Sequence, residues 1–304
     1  ALTYLDRLIG RDDFAHMSEE DLIEMTTLKL KGVVKETARE LVAKSHLKKG
    51  DIYAEAGNID AALAAYAVVP LEYAAEPALV QNSYIRAAEL IQKERGAQAA
   101  IASYKNAIEE VEDKVFQART QLTVALMLYD EGQYLKAAEE YEIYLSAYPD
   151  VTARVGFGTD KVWFRVAQCH QEHARAVRGE NEAEATASID KALGLHEQVL
   201  EEYGSSELIP DVLFNAGFAN QLKGQDAEAL PYYQRLVERY PEHPASVNGL
   251  LQLARIEYAA ARYRPAVAIY ERFVQQHPES ELGNTAQMEL GLAHKVLKEP
   301  DLAI

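Results

Sequence analysis

Cysteine is all but missing. Cys169 stands alone in 304 residues, which excludes a disulfide within the chain. That suits the cytoplasm, although a helical protein of the periplasm needs no disulfide either. Proline and glycine are scarce, at ten and sixteen, and the text between them is rich in Ala, Leu, Glu, Gln, Lys and Arg, the good helix formers. Runs of Val, Ile and Thr alternating with polar residues are nearly absent, which argues against a sheet. No apolar run approaches the roughly 18 residues that a membrane-spanning helix needs. Basic residues are short as well: 31 Lys and Arg against 48 Asp and Glu, a net charge of −17. Such a surface repels nucleic acid and anionic lipid, since both draw on Lys and Arg. It keeps an elongated helical surface soluble; a basic partner is the sharper reading, which charge alone does not establish. The first residues, ALTYLDRL, carry neither an initiator Met nor a signal peptide, so a mature or trimmed form is expected and the compartment is left open.

What the chain has instead is a period. Tyr203 in LEEYGSS, Tyr240 in VERYPEHP and His277 in VQQHPES stand 37 residues apart. A second mark lies inside each unit: AGNIDAALAAY (56–66), RGAQAAIASY (95–104), EGQYLKAAEEY (131–141), KGQDAEALPYY (223–233) and ARYRPAVAIY (261–270). In each, a short polar turn enters a helix with an aromatic four residues after an Ala: Ala62/Tyr66, Ala100/Tyr104, Ala137/Tyr141, Ala229/Tyr233 and Ala266/Tyr270. A spacing of four places both on one helix face. Before each turn stands another helix, as in WFRVAQCH (163–170), LFNAGFANQL (213–222) and LLQLARIEY (250–258). A two-helix hairpin cannot bury its apolar face alone, so successive hairpins stack into a continuous core. Pro149, Pro241 and Pro278 end the second helix and open the next unit. With 48% apolar residues, the core is well supplied and the class is all-α.

At these residues the chain resembles the tetratricopeptide repeat family. KKGDIYAEAGNIDAALAAY (48–66) follows its pattern at Gly50, Tyr53, Gly57, Ala62 and Tyr66, and Gly217, Gly224 and Ala229 match in a later unit. The resemblance covers about residues 36–304. It implies a right-handed superhelical solenoid of about six to seven hairpins. The expected division is a capping segment at 1–35, opened by SEEDLIEM (18–25), an array at 36–155 and a second at 156–304, with 147–163 as hinge. One unit carries eight extra residues, and its text ENEAEATASIDKAL is expected to lengthen both helices past the turn. The segment 235–280 is most similar to periplasmic members associated with outer-membrane assembly or Tol–Pal. Its boundary of Tyr/His-Pro-x-(His/Ser) carries that likeness, which implies the bacterial envelope, with the cytoplasm as alternative.

Sites for chemistry are few. CHQEH (169–173) places His170 and His173 on one helix face near Cys169 and Glu172, with His196 as the only later imidazole within reach of the unit. Zinc needs three or four converging ligands, so a buried Cys flanked by surface imidazoles is the plainer reading. GFGTD (156–160) lacks the G-K-[ST] of a phosphate loop and no strand precedes it. No nucleophile motif is present. No cofactor is expected, and a metal-dependent enzyme built on CHQEH is the weakest alternative.

What remains is binding. In the resembled family the first helix of each unit lines a concave groove. Its groove positions carried over to this chain are Phe164, Gln168 and Gln171; Asp211, Phe214, Phe218 and Gln221; Asn248, Leu251, Arg255 and Tyr258; and Met288, Leu292 and Lys295. Earlier units supply Asn82, Ile85 and Glu89, then Arg119, Leu122, Leu126 and Tyr129. Aromatic, aliphatic and amide groups of this kind bury the apolar side of a peptide while amides bond its backbone. A rotation of one residue would instead turn Phe214, Phe218 and Leu251 into core. Asn248, Arg255 and Arg119 do not form the family's clamp for a C-terminal carboxylate. The reading is a non-enzymatic scaffold for a protein or peptide, without nucleic acid or direct membrane insertion. Self-association through exposed end units and a cytoplasmic, peptide-responsive regulator hinged at 147–163 are the alternatives.

Overall fold

A computed structural model describes residues 38–297, so the expected capping segment at 1–35 lies outside the described residues. Fourteen α-helices follow one another there: α1 (Ala38–Glu55), α2 (Ile59–Glu72), α3 (Pro77–Arg95), α4 (Ala97–Glu110), α5 (Lys114–Asp130), α6 (Tyr134–Ala147), α7 (Thr152–Val155), α8 (Thr159–Val177), α9 (Glu182–Glu202), α10 (Ile209–Leu222), α11 (Asp226–Arg239), α12 (Pro244–Ala259), α13 (Tyr263–Gln276) and α14 (Gly283–Val296). No strand occurs among the described residues. The all-α class is as expected.

The recurring punctuation has a recurring geometry. Each of Tyr73, Tyr203, Tyr240 and His277 caps a second helix with φ between −132° and −122° and ψ between 35° and 52°. The carbonyl of each then accepts from the N–H three residues on, from Glu76, Ser206, His243 and Ser280, at 2.8–3.1 Å. Pro241 and Pro278 follow directly, where no helical N–H is required. At the turn inside the hairpin, Gly57, Gly132 and Gly224 take φ of 75°, 73° and 73°. Ala261 holds the same turn position with φ 59°, a left-handed conformation that a Cβ disfavours.

The Ala/aromatic pairs form the core. All ten residues of the five pairs are buried. The aromatic ring lies against the first helix where a side chain is missing: a Cβ on Gly50 would come within 2.3 Å of the Tyr66 ring, and one on Gly217 within 2.8 Å of Tyr233. Glycine at these sites is a packing requirement, and a buried ring contributes about 1.5–3 kcal/mol.

Two compact units result. Among the described residues, one comprises those up to Glu131 with Ala147–Val155; the other comprises Gly132–Ser146 with those from Gly156 on. All of α6 except its last residue, Ala147, thus falls in the second unit, although it lies within the stretch 36–155 expected as the first array. The proposed hinge stretch forms a 3-10 turn at Pro149–Val151, the single-turn α7, and the start of α8. In the second unit the eight extra residues lengthen the hairpin, though not in both helices as expected. The gain lies in the second helix: α9 has 21 residues against 14 for α2, α4, α11 and α13. By contrast α8 has 19, the same as α3, so only one of the two helices is lengthened. Asn181 caps α9, its Oδ1 accepting from the N–H of Glu184 at 3.2 Å.

Candidate partner-binding surface

The expected groove residues divide into core and surface. Three are interior, which corrects the expectation for them. Phe164 packs with Val199 and Val212, its ring 6.0 Å from that of His196. Leu251 belongs to the cluster around Tyr233, Leu250 and Phe273. Gln171 ties α8 to two other helices: its Nε2 donates to the Asn215 carbonyl at 2.8 Å, and its Oε1 lies 3.1 Å from Nε2 of His196. Residues of α9 and α10 enclose Phe164 and Gln171, and residues of α11 and α13 enclose Leu251, so these three side chains are not available to a partner.

Five of the others are half-buried with intramolecular contacts. Gln168 accepts from Arg165 at 3.1 Å. Phe214 stacks on Phe218 with centroids 6.4 Å apart and planes at 4°, and also leans on Tyr233 at 5.8 Å. The Arg175 guanidinium lies 6.0 Å from the Phe218 centroid. The Gln221 side chain accepts from the Tyr233 hydroxyl at 2.6 Å. Asp211 is half-buried too, its carbonyl accepting from Asn215 at 2.8 Å. Asn248, Met288, Leu292 and Lys295 are exposed, Met288 at 62%.

A cavity of about 340 Å³ gathers part of this set. It is lined by Arg255 and Tyr258 of α12, Tyr270 of α13, and Glu289 and Leu292 of α14. Arg255 donates to both oxygens of Glu289 from Nε and Nη2 at 2.8–3.1 Å, a bidentate pair that cancels its own charge. Burial, followed by the Glu289 carboxylate, raises the Tyr270 hydroxyl, which stays a protonated donor. The Tyr258 ring is held edge-on by Tyr263 at 5.2 Å. Sequence reasoning found Arg255, Tyr258 and Leu292 but left out Glu289 and took Tyr270 only as packing. The available signal was two opposite charges one repeat apart on successive first helices.

The first unit has a counterpart. Asp51 of α1 and Arg86 of α3 pair across the same kind of step, with the charges exchanged. The Tyr66 hydroxyl donates to Asp51 at 3.0 Å, and burial is the larger cause of its raised pKa. Asn82, Ile85 and Glu89 line the cavity around this pair.

CHQEH is dispersed by the fold. Cys169 is buried and its thiol is pushed up to about 12, which removes the thiolate needed for chemistry. His170 is buried, with neither ring nitrogen hydrogen-bonded. His173 instead faces Glu184 at 2.9 Å. Among the described residues, no three His, Cys, Asp or Glu side chains are grouped to hold a metal. GFGTD is anchored rather than loose: Tyr144 donates to the Phe157 carbonyl at 2.9 Å, and the Phe157 ring packs on Tyr141 and Tyr144. No helix among the described residues is long and apolar enough to cross a membrane.

A family model for the tetratricopeptide repeat matches residues 211–243 and 249–280. No curated protein sequence matches the chain. Among solved structures, the apo form of RapI superposes with a TM-score of 0.56 at 15% identity, over 98% of this chain and 84% of that one. BtubC (BKLC) from P. vanneervenii gives 0.45 at 18% identity over 79% and 91% of the two chains, and MamA gives 0.42 at 11% over 63% and 95%. The likeness to RapI concerns the fold alone. Residues 211–243 and 249–280 are therefore tetratricopeptide repeats, carried in a chain whose described residues are α-helices alternating across short turns throughout.

Proposed function

We propose that the chain is a non-enzymatic scaffold that binds a protein or peptide partner on the faces of its first helices. The observation that carries this reading is the cavity between α12 and α14. There an internally neutralised Arg255–Glu289 pair lies among the Tyr258 and Tyr270 rings and the half-exposed Leu292, with exposed Met288 on the same helix. Aromatic and aliphatic anchors around satisfied polar groups are what a peptide side chain needs. Tetratricopeptide repeats generally serve protein–protein interaction, which agrees with this. The envelope placement rests on the 235–280 resemblance. Fractionation of cells producing the natural full-length protein tests it: recovery with cytoplasmic markers would remove it.

The scaffold reading is tested by selecting peptides from a displayed library on the chain and titrating the winners. Tyr258→Ala with Leu292→Ser should weaken binding about tenfold or more, with helix content unchanged by circular dichroism. Unaltered binding would move the site elsewhere. A selection that enriches nothing would overturn the scaffold reading.

A further inference from the structure

We propose that the cavity between α1 and α3 receives a lysine or arginine side chain from a basic segment of the partner, a proposal that rests on the scaffold reading above. The cavity measures about 610 Å³ and carries three carboxylates, Asp51, Glu55 and Glu89, and two cations, Arg86 and Lys93. The cations are already engaged. Arg86 is paired with Asp51 and donates from Nε to Asn82 at 2.8 Å. Lys93 lies 3.5 Å from Glu94, outside the cavity lining. Asp51 is equally occupied, by Arg86, by the Tyr66 hydroxyl at 3.0 Å and by Lys48 at 4.0 Å.

Glu55 and Glu89 are different. Both are exposed, and among the described residues neither makes a hydrogen bond or an ion pair. The cavity therefore presents two carboxylates without a hydrogen-bond or ion-pair partner, one from each of two successive first helices, and three carboxylates against two cations in all. Beside them lie Ala54 and Ile85, the latter 38% exposed. Lysine and arginine match that combination, with an apolar stem and a charged head that stays partly in water. Because both carboxylates are already hydrated, a cation can approach without the desolvation that burdens a buried pair. An anionic side chain meets the opposite situation. Arg86 is not free to receive it, two carboxylates repel it, and the whole chain carries −17. The cavity between α12 and α14 provides an internal contrast, since its Arg255–Glu289 pair leaves no charge to offer.

The test titrates the full chain with four labelled peptides of alternating Leu and Ser that differ only at a central Arg, Lys, Gln or Glu. At low salt, the Arg and Lys peptides should bind about fivefold more tightly than the Gln peptide, and the Glu peptide should bind least. Added salt should narrow the gap. The double variant Glu55→Gln, Glu89→Gln should abolish the preference while its thermal unfolding stays that of the parent. Equal binding of the Arg and Gln peptides would overturn the proposal, and so would a preference that survives in the double variant. Failure of all four peptides would overturn it as well. The scaffold reading stands or falls separately, with the display selection.

Discussion

At the scale of single residues, two substitution rules run against each other at Gly50. Alanine is the better helix former by about 1 kcal/mol, which alone would stabilise the middle of α1. Yet its Cβ would lie 2.3 Å from Cε1 of Tyr66, a ring held by its hydrogen bond to Asp51. Overpacking of this kind costs about 1–3 kcal/mol. Gly50→Ala should therefore lower stability, by up to about 2 kcal/mol net. Urea denaturation checks this, and a rise in the midpoint would mean that the ring moves aside freely. The glycine was legible in the sequence as a signature position, and so was the tyrosine. Their mutual contact was not, because it joins two helices at a depth that spacing alone does not reveal.

At the scale of elements, the long α8–α9 hairpin holds two imidazoles away from water. Burial, with Lys191 and His173 adding to it, pushes His170 down to about 4; burial alone pushes His196 down to about 3. A folded-state pKa below the unfolded value of about 6.5 means that the unfolded chain binds more protons in the interval between them. The hairpin's contribution is thus fully present above about pH 6.5 and declines as pH falls towards 4, by on the order of 3 kcal/mol from His170. Thermal unfolding between pH 7 and pH 4 should show this decline, and His196→Leu, which removes one group, should flatten it. A curve that is unaltered in the variant would show that His196 is not buried in neutral form. The sequence announced the extra length of this hairpin through its added residues. It did not announce that residues of α9 and α10 would enclose Phe164 and Gln171, which were expected to face a partner.

At the scale of the whole molecule, each hairpin touches chiefly its neighbours, so stability is a sum of local terms rather than one cooperative quantity. Leu213 is fully buried in α10, where it packs with Ile209, Leu236 and Ala245. Leu213→Ala should cost about 2–5 kcal/mol. Hydrogen exchange should then quicken in α10 and α11 and remain as before in α1 and α3. Faster exchange throughout would show that the two units unfold as one.

The amino-acid order by itself determined the all-α class, the 37-residue step and the Ala/aromatic pairs, because a helical period of four and a proline stop are local properties of the chain. It also marked the matched repeats at 211–280. Only the tertiary structure decided which first-helix residues remain available. Leu251 and Phe164 are sealed in, whereas Leu292 and Glu89 lie open, and a single position along a helix, about 100° of rotation, separates the two outcomes. The opposite charges that meet across successive helices, Asp51 with Arg86 and Arg255 with Glu289, are likewise products of stacking. Their residues stand 35 and 34 apart, a distance that no local rule connects.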